Sequence, residues 1–267
     1  MTAAANSLPP EAGGRGPTTV QLPTWLTIFI DFPADEFEPG KAFWCAATGY
    51  RPSAPRGETA EFATLLPPAG DAYLRVQRLG EGNTRVHLDV HVDDPQAAAR
   101  AAVELGAKVR DDQRHGYVVL ASPAGLVFCV VPAFAGRVPS AAGWPAGHHS
   151  RLAQVCLDVP QARYAEELAF WRALLGGNWK TRSGEDPLAT RMADSVALEL
   201  RLQPSVLSAQ ASGHLHLNTD DRSAEVGRLV GLGAVKRVDR SSWTLLEAVG
   251  GMAVCVVDDV DGGDCAR

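Results

Sequence analysis

The chain has 267 residues and a formal net charge of −6 at pH 7, and this length suffices for two domains that each bury a core. Its mild acidity and scattered basic residues argue against nucleic acid or an anionic membrane as a partner, and no apolar run is long enough to cross a membrane. The five cysteines are odd in number and irregularly spaced, which favours a reducing compartment over a disulfide framework. We therefore expect a cytoplasmic protein, either a monomer or a homodimer.

Two stretches of the chain lack a hydrophobic period and are rich in small residues, Gly and Pro. The first, residues 1–22, also lacks the basic and apolar segments of a secretory signal, so we predict a mobile leader. The second, residues 133–150, is predicted to be a linker between a domain at 23–132 and a domain at 151–260. His148 and His149 belong to this linker, and we expect them to be solvated loop residues.

The two predicted domains are copies of one another, offset by 127 residues. Ala42-Phe43-Trp44 recurs as Ala169-Phe170-Trp171, and His87 recurs as His214. An offset that holds from a first strand to a last one indicates duplicated three-dimensional units. The same offset, or one of 126 near the end of each copy, relates two further pairs: Asp31 with Asp158, and Cys129 with Cys255.

Hydrophobic periodicity predicts the order strand, helix, strands, twice in each repeat. The first repeat has predicted strands at 25–32, 62–66, 72–79, 85–92, 117–120 and 126–131, and helices at 37–48 and 95–105. The second has predicted strands at 153–159, 197–202, 214–218, 243–247 and 252–257, and helices at 161–175 and 223–232. We therefore predict an α+β fold of four βαβββ modules, two in each domain.

Some predicted strands have two unlike faces. In residues 86–92 every even position is apolar and every odd position is polar, and 214–218 alternates in the same way. Because successive side chains of a strand point to opposite faces, the polar set predicts a wet concave surface. Its members are His87, Asp89 and His91 in the first repeat, and His214, His216 and Asn218 in the second.

These motifs together resemble the vicinal oxygen chelate superfamily, which contains glyoxalases, bleomycin-resistance proteins and extradiol dioxygenases. The features are a first strand ending in Asp-Phe-Pro or Asp-Val-Pro, the helical Ala-Phe-Trp, and the run His-Leu-Asp-Val-His-Val-Asp-Asp, together with Leu-Gly-Ala and Ser-Pro-Ala-Gly-Leu-Val-Phe-Cys. The resemblance covers residues 25–132 and 152–258 and is closest to the glyoxalase-like branch. It implies two tandem glyoxalase-like domains whose curved mixed sheets each surround a cavity.

Metal-dependent members of that superfamily hold the ion on the first and fourth strands of paired modules. The resemblance places these positions at Thr27, Arg75 or Gln77, His87 and Cys129 in the first repeat, and at Gln154, Glu199, His214 and Cys255 in the second. The first set has one good donor, His87, so we expect it to be metal-free. Gln154, Glu199 and His214 match three of the four ligand types of glyoxalase I-like sites, and imply one divalent Zn, Ni, Mn or Fe ion in domain 2.

Two functions follow from these residues. In the first, the protein is a glyoxalase-like lyase, isomerase or epimerase acting on a small oxygenated metabolite, with Glu199 as ligand or base and His214 as ligand. In the second, it is a metal-free module that binds a small molecule, as bleomycin-resistance proteins do. An extradiol dioxygenase site is not expected, because it needs two His and one carboxylate. The residues predicted to line the cavities are Thr27, Arg75, Gln77, His87, Asp89, Cys129, Gln154, Arg201, His216 and Cys255.

Several conspicuous residues have structural explanations. Trp44 and Trp171 lie on helical stripes and are predicted to pack in the cores. Asp31 and Asp158 precede Pro at strand ends, where Asp commonly starts a turn.

Other residues are predicted to serve as helix caps or as core packing. The pairs at 93–94 and 220–221 stand directly before predicted helices and are typical N-cap residues. Cys129, Cys156 and Cys255 lie in apolar runs, where a free thiol acts as a small hydrophobic group.

Overall fold

A computed structural model of the chain describes residues 23–111, 116–182, 188–191, 197–206 and 209–258. The predicted leader lies outside these residues. Within them, no helix combines the length and apolar character that a membrane span requires. The four cysteines of the described residues are free thiols: Cys45, Cys129, Cys156 and Cys255.

Domain 1 is one eight-stranded mixed sheet with two helices, built from two modules of the same order. The strand order is β2-β3-β4-β1-β5-β8-β7-β6, and the modules join where β1 pairs antiparallel with β5. The first module contains β1 (Trp25–Phe32), α1 (Phe37–Thr48), β2 (Arg51–Pro52), β3 (Phe62–Leu66) and β4 (Leu74–Arg78). The second contains β5 (Arg85–Val92), α2 (Pro95–Glu104), β6 (Lys108–Asp111), β7 (Val118–Ala121) and β8 (Val127–Pro132).

Domain 2 repeats this topology, and its sheet gains a short strand, β9 (Ala142–Gly143), beside β10 (His149–Pro160). A 3₁₀ turn (Gln161–Arg163) leads into α3 (Tyr164–Leu175), so the first three residues of the helix predicted at 161–175 are not α-helical. The strand order is β11-β12-β13-β10-β14-β17-β16-β15. The remaining elements are β11 (Trp179–Arg182), β12 (Leu188–Arg191), β13 (Glu199–Ser205), β14 (Ser212–Thr219), α4 (Arg222–Gly231), β15 (Val235–Asp239), β16 (Trp243–Glu247) and β17 (Ala253–Asp258).

Local sequence explains where the helices begin and end. Asp94 caps α2 by accepting hydrogen bonds from the amides of Gln96 and Ala97, and Asp221 caps α4, as the sequence predicts. Helix α1 ends at Gly49, whose φ of 73° lies in the left-handed region that glycine adopts without a Cβ penalty.

The helices pack on one face of each sheet and leave the other face to polar residues. Trp44 and Trp171 are fully buried, which confirms their predicted place in the cores. The even-numbered residues of β5, such as Leu88 and Val90, belong to the same core. Its odd-numbered residues therefore lie on the opposite, concave face.

Each curved sheet consists of strands from a single repeat, so the repeats do not exchange modules. The domains meet where β5 lies against β14, with the Val86 side chain beside Gly213. These two positions are counterparts at the offset of 127, and a residue that contacts its own counterpart indicates two-fold related surfaces. A second contact joins Glu167 of α3 to the amide of Ala124, at 2.7 Å.

The predicted linker is ordered in the structure. His148 is buried and its Nε2 lies 2.8 Å from Glu225 Oε2, so its interpretation as a solvated loop residue is wrong. His149 is exposed and pairs with Asp220. The prediction failed for His148 because the buried carboxylate that holds it is 77 residues away in the chain.

Candidate active site

Two imidazole rings meet on the concave face of domain 2. His214 and His216 project from the same side of β14, and their Nε2 atoms are 3.0 Å apart. The Cys156 thiol on β10 completes a group whose candidate ligand atoms all lie within 4.8 Å of one another. All three residues are buried. Such a group could hold a metal ion, because imidazole nitrogen and thiolate sulfur are the donors that Zn²⁺ and related ions prefer.

Each of these rings is oriented through its second nitrogen. His214 Nδ1 lies 2.7 Å from Asp158 Oδ2, and His216 Nδ1 lies 3.1 Å from Gln154 Oε1. A metal-bound histidine almost always has its other ring nitrogen held by a carboxylate, carbonyl or water. The arrangement therefore directs both Nε2 atoms at a common point.

The surroundings shift the pKa values of the two rings in opposite directions. Burial lowers the pKa of His214, but negative charge at Cys156 and the hydrogen bond to Asp158 outweigh it and raise the pKa well above its usual value. Burial and the positive charges of His214 and Arg201 hold the pKa of His216 well below its usual value. A proton shared by the pair therefore resides on His214.

The ligand set predicted from the sequence is only partly brought together. Gln154 stands opposite both Glu199 and His216 in the sheet, whereas His214 stands opposite Cys156. The Gln154 amide donates to Glu199 Oε2 at 2.6 Å, and its carbonyl oxygen accepts from Arg201 at 3.1 Å. Gln154 and Glu199 thus form a hydrogen-bonded pair next to the two histidines.

Further polar groups surround this pair. Burial raises the pKa of Glu199, although the hydrogen bond from Gln154 acts in the other direction. Arg201 is buried, with one guanidinium nitrogen 3.3 Å from His216 Nδ1. Cys255 on β17 stands opposite His216 in the sheet. Arg201 and Cys255, the remaining predicted cavity residues of domain 2, therefore both lie on this concave face.

Cys156 was missed as a candidate by sequence reasoning. It lies in an apolar run and was interpreted as core packing, but it shares the concave face with His214. The run around it is apolar because one face of β10 packs in the core while the other carries Gln154 and Asp158. Strict alternation with these two residues is the signal that could have found it.

In domain 1 the concave face carries a related group. His87, Asp89 and Cys129 place candidate ligand atoms within 4.8 Å of one another, so the expectation of a single good donor was wrong. Burial and the neighbouring Asp89 carboxylate raise the pKa of the Cys129 thiol, which keeps it protonated. A thiol binds metals as the thiolate, so the raised pKa of Cys129 weakens this group as a metal site.

The other predicted cavity residues of domain 1 also reach this face. Thr27 Oγ1 lies 3.0 Å from His91 Nε2, and an Arg75 nitrogen lies 3.6 Å from an Asp89 oxygen. Gln77 stands two residues beyond Arg75 on β4. Phe29, which sequence reasoning missed, stacks on His87 with ring centroids 4.4 Å apart.

Asp31 and Asp158 hold the two repeated histidines and are not turn residues. Asp31 is fully buried and its Oδ1 lies 2.8 Å from His87 Nδ1, just as Asp158 contacts His214. The interpretation of these aspartates as turn residues, which rested on a nearby proline, was therefore wrong. The available signal was that each aspartate recurs with its histidine at the same offset of 127 residues.

The fold and the polar concave faces define a tandem protein of the vicinal oxygen chelate superfamily. The family model for the glyoxalase-like domain matches the chain twice, over residues 27–131 and 154–257. The chain therefore belongs to the glyoxalase-like domain family. A search of curated protein sequences finds no match to it.

Solved structures share the fold at low sequence identity. The Mn(II)-bound glyoxalase from Novosphingobium aromaticivorans aligns with a TM-score of 0.64 and 19% identity, over 90% of this chain and 84% of that one. The 2,2',3-trihydroxybiphenyl 1,2-dioxygenase from Sphingomonas wittichii aligns with a TM-score of 0.59 and 14% identity, over 90% of each chain. Homoprotocatechuate 2,3-dioxygenase from Arthrobacter globiformis aligns with a TM-score of 0.58 and 12% identity, over 94% of this chain and 85% of that one. At such identities the likeness establishes the fold, and function must be argued from the site.

Proposed function

We propose that domain 2 is the catalytic domain of a metal-dependent glyoxalase-like enzyme that acts on a small oxygenated metabolite. The observation that carries the proposal is the approach of His214 Nε2 to His216 Nε2, at 3.0 Å. Nitrogen ligands lie about 2.0–2.1 Å from a zinc ion, so two ligands of one ion are about 2.9 Å apart at a right angle and about 3.4 Å apart at the tetrahedral angle. The two imidazoles are therefore spaced as a pair of ligands would be.

The ion would be held by His214 and His216, with Cys156 as a third, thiolate donor. This set replaces the combination of Gln154, Glu199 and His214 that the sequence suggested, because Gln154 and Glu199 are engaged with each other. When bound, a divalent ion would act as a Lewis acid that stabilises negative charge on a substrate oxygen.

Glu199 is the residue best placed to move a proton. It is half-buried beside the histidines, and the Gln154 amide fixes one of its oxygens. A carboxylate whose pKa is raised by burial can accept a proton at neutral pH and return it. In an isomerase or epimerase the C–H bond next to a substrate carbonyl breaks, the proton moves to Glu199, and it returns to a different position or face.

The proposal is tested by metal analysis followed by kinetics. Protein purified without chelator and exposed to Zn²⁺, Ni²⁺, Mn²⁺ or Fe²⁺ should carry one ion per chain by mass spectrometry. His214→Ala should lose that ion, whereas His87→Ala, the matched change in domain 1, should keep it. Glu199→Gln should retain the ion and the fold but lose turnover in a screen of glyoxalase-type reactions. A wild-type protein that takes up none of the four ions would contradict the proposal.

A metal-free binding protein is the second candidate, and one observation favours it. The Arg201 guanidinium lies 3.3 Å from His216 and brings a positive charge next to the position that an ion would occupy. In that case no ion binds, and Glu199→Gln changes the affinity for a ligand without affecting any reaction. The same mass-spectrometric measurement separates the two candidates.

A further inference from the structure

Arg75 in domain 1 is a cation without a matching acceptor. Its Nε is buried and has no hydrogen-bond partner among the described residues. The nearest carboxylate oxygen, on Asp89, is 3.6 Å from another guanidinium nitrogen, beyond hydrogen-bond distance. The side chain is 29% exposed, so it can be reached from solvent.

The equivalent arginine of domain 2 shows why Arg75 differs. Arg201 donates to the Gln154 side chain and lies beside His216. In domain 1 the counterpart of Gln154 is Thr27, whose shorter side chain bonds to His91 instead. The exchange of Gln for Thr therefore removes the acceptor that the second copy provides.

Gln77, two residues from Arg75 on β4, is in a similar position. Its counterpart Gln203 donates to Asp158 at 2.6 Å. In domain 1 the corresponding Asp31 already accepts hydrogen bonds from His87 and Arg85. No hydrogen bond of the Gln77 side chain is found among the described residues. Arg75 and Gln77 thus project from the same face of one strand, with Cα atoms about 7 Å apart.

Aromatic rings border these two donors. Phe29 stands opposite Arg75 in the sheet, with the guanidinium carbon 5.5 Å from its ring centroid. Phe62 stands opposite Gln77 and meets Phe29 edge to face at 6.2 Å. His87 stacks on Phe29 with ring centroids 4.4 Å apart. The surroundings are therefore suited to a flat apolar group.

The charges on this face favour an anion. Arg56 donates to Thr64, which stands directly opposite Arg75, and so adds a second guanidinium at the rim. Asp89 is the carboxylate nearest to Arg75, and Asp31 is paired with Arg85. Three guanidiniums thus face two carboxylates.

We propose that the concave face of domain 1 binds a small aromatic carboxylate, with its carboxylate on Arg75 and Gln77 and its ring against Phe29 and Phe62. Arginine is suited to this role because its planar fork of donors matches a carboxylate. The site is separate from the metal group of domain 2 and does not depend on the function proposed there.

The test is a calorimetric titration of the full-length protein with benzoate, and with benzamide as the uncharged analogue. Benzoate should bind saturably and at least 10-fold more tightly than benzamide, because one charge-assisted contact is worth about that factor. Arg75→Gln should weaken benzoate binding about 10-fold or more, and Arg100→Gln, an exposed arginine of α2, should leave it unchanged. Equal affinity for the two compounds, equal affinity of Arg75→Gln and wild type, or no benzoate uptake would overturn the proposal.

A measurement on the wild-type chain keeps the test valid if Arg75→Gln does not fold. Benzoate should shift the ring proton signals of His87, assigned by comparison with His87→Gln, because the bound ring would lie beside the stack with Phe29. The shift should persist after treatment with a chelator, which separates this site from the proposed metal in domain 2. Signals that move only for His214 and His216 would place the ligand in domain 2 and refute the inference.

Discussion

The two repeats share one aspartate–histidine pair, and a single neighbouring residue changes what that pair can do. Asp31 orients His87 as Asp158 orients His214. The residue two positions beyond the histidine is an aspartate in the first copy, Asp89, and a histidine in the second. His87 Nε2 therefore faces a carboxylate at 3.9 Å, whereas His214 Nε2 faces another imidazole.

Asp158→Asn is expected to weaken metal binding without removing a proposed ligand. The amide of Asn accepts more weakly than a carboxylate and holds the His214 ring less firmly, and loss of such an orienting partner typically costs 10–100-fold in metal affinity. Competition with a chromogenic zinc chelator measures the change. Asp31→Asn, the matched substitution in domain 1, should leave the zinc affinity unaltered, and an equal loss in both variants would contradict the assignment.

At the scale of elements, helix α4 fixes the segment between the domains. Glu225 is fully buried and accepts hydrogen bonds from Ser150 and from Arg228, and it also contacts His148. Arg228 in turn lies 3.5 Å from the ring centroid of Trp144 and donates to the Ala47 carbonyl at the end of α1. A buried carboxylate with this many donors is costly to leave unpaired.

Glu225→Gln should destabilise the protein at pH 7 by about 1–3 kcal/mol, because charge-assisted hydrogen bonds are lost. Burial raises the pKa of Glu225, but the bonds from Arg228, His148 and Ser150 outweigh it and hold the pKa below its usual value. Its contribution is thus complete above the unfolded pKa of about 4.3 and is lost as the pH falls through the folded value. Urea unfolding at pH 7 and below pH 4.3 should show the difference between wild type and variant shrink on acidification. A constant difference would exclude this ionisation as the cause.

At the scale of the whole molecule, the domains meet through equivalent surfaces along β5 and β14. Gly213 is a point of close approach, since a Cβ added there would overlap Val86 Cγ2. Both residues are next to the repeated histidines, His87 and His214. Val86 belongs to the core, so this contact lies on the face of the strands opposite the two histidines.

Gly213→Ala is expected to lower the free energy of unfolding by about 1–3 kcal/mol, the usual cost of overpacking. Val86→Ala removes the atom that the new methyl group would meet, so the double variant should be more stable than additivity predicts. Thermal unfolding of the wild type, both single variants and the double variant measures this coupling. Strict additivity would mean that the two positions do not touch.

Much of the architecture could be predicted from the chain alone. The period of two in β5, the Gly after α1 and the Asp before α2 act through neighbouring residues, so local sequence determined those elements. The repeat offset and the motifs determined the family and the tandem fold. Trp44 and Trp171 were correctly predicted to lie in the cores, because a helical stripe depends only on local spacing.

Only the tertiary structure decided which polar residues meet. Gln154 stands opposite His216 because of the register between β10 and β14, which shifts at an irregularity between Leu152 and Gln154. The partners of Asp158 and Glu225 likewise lie 56 and 77 residues away in the chain. Such pairings are set by strand register and domain packing, which depend on contacts across the whole molecule, so spacing along the sequence could not determine them.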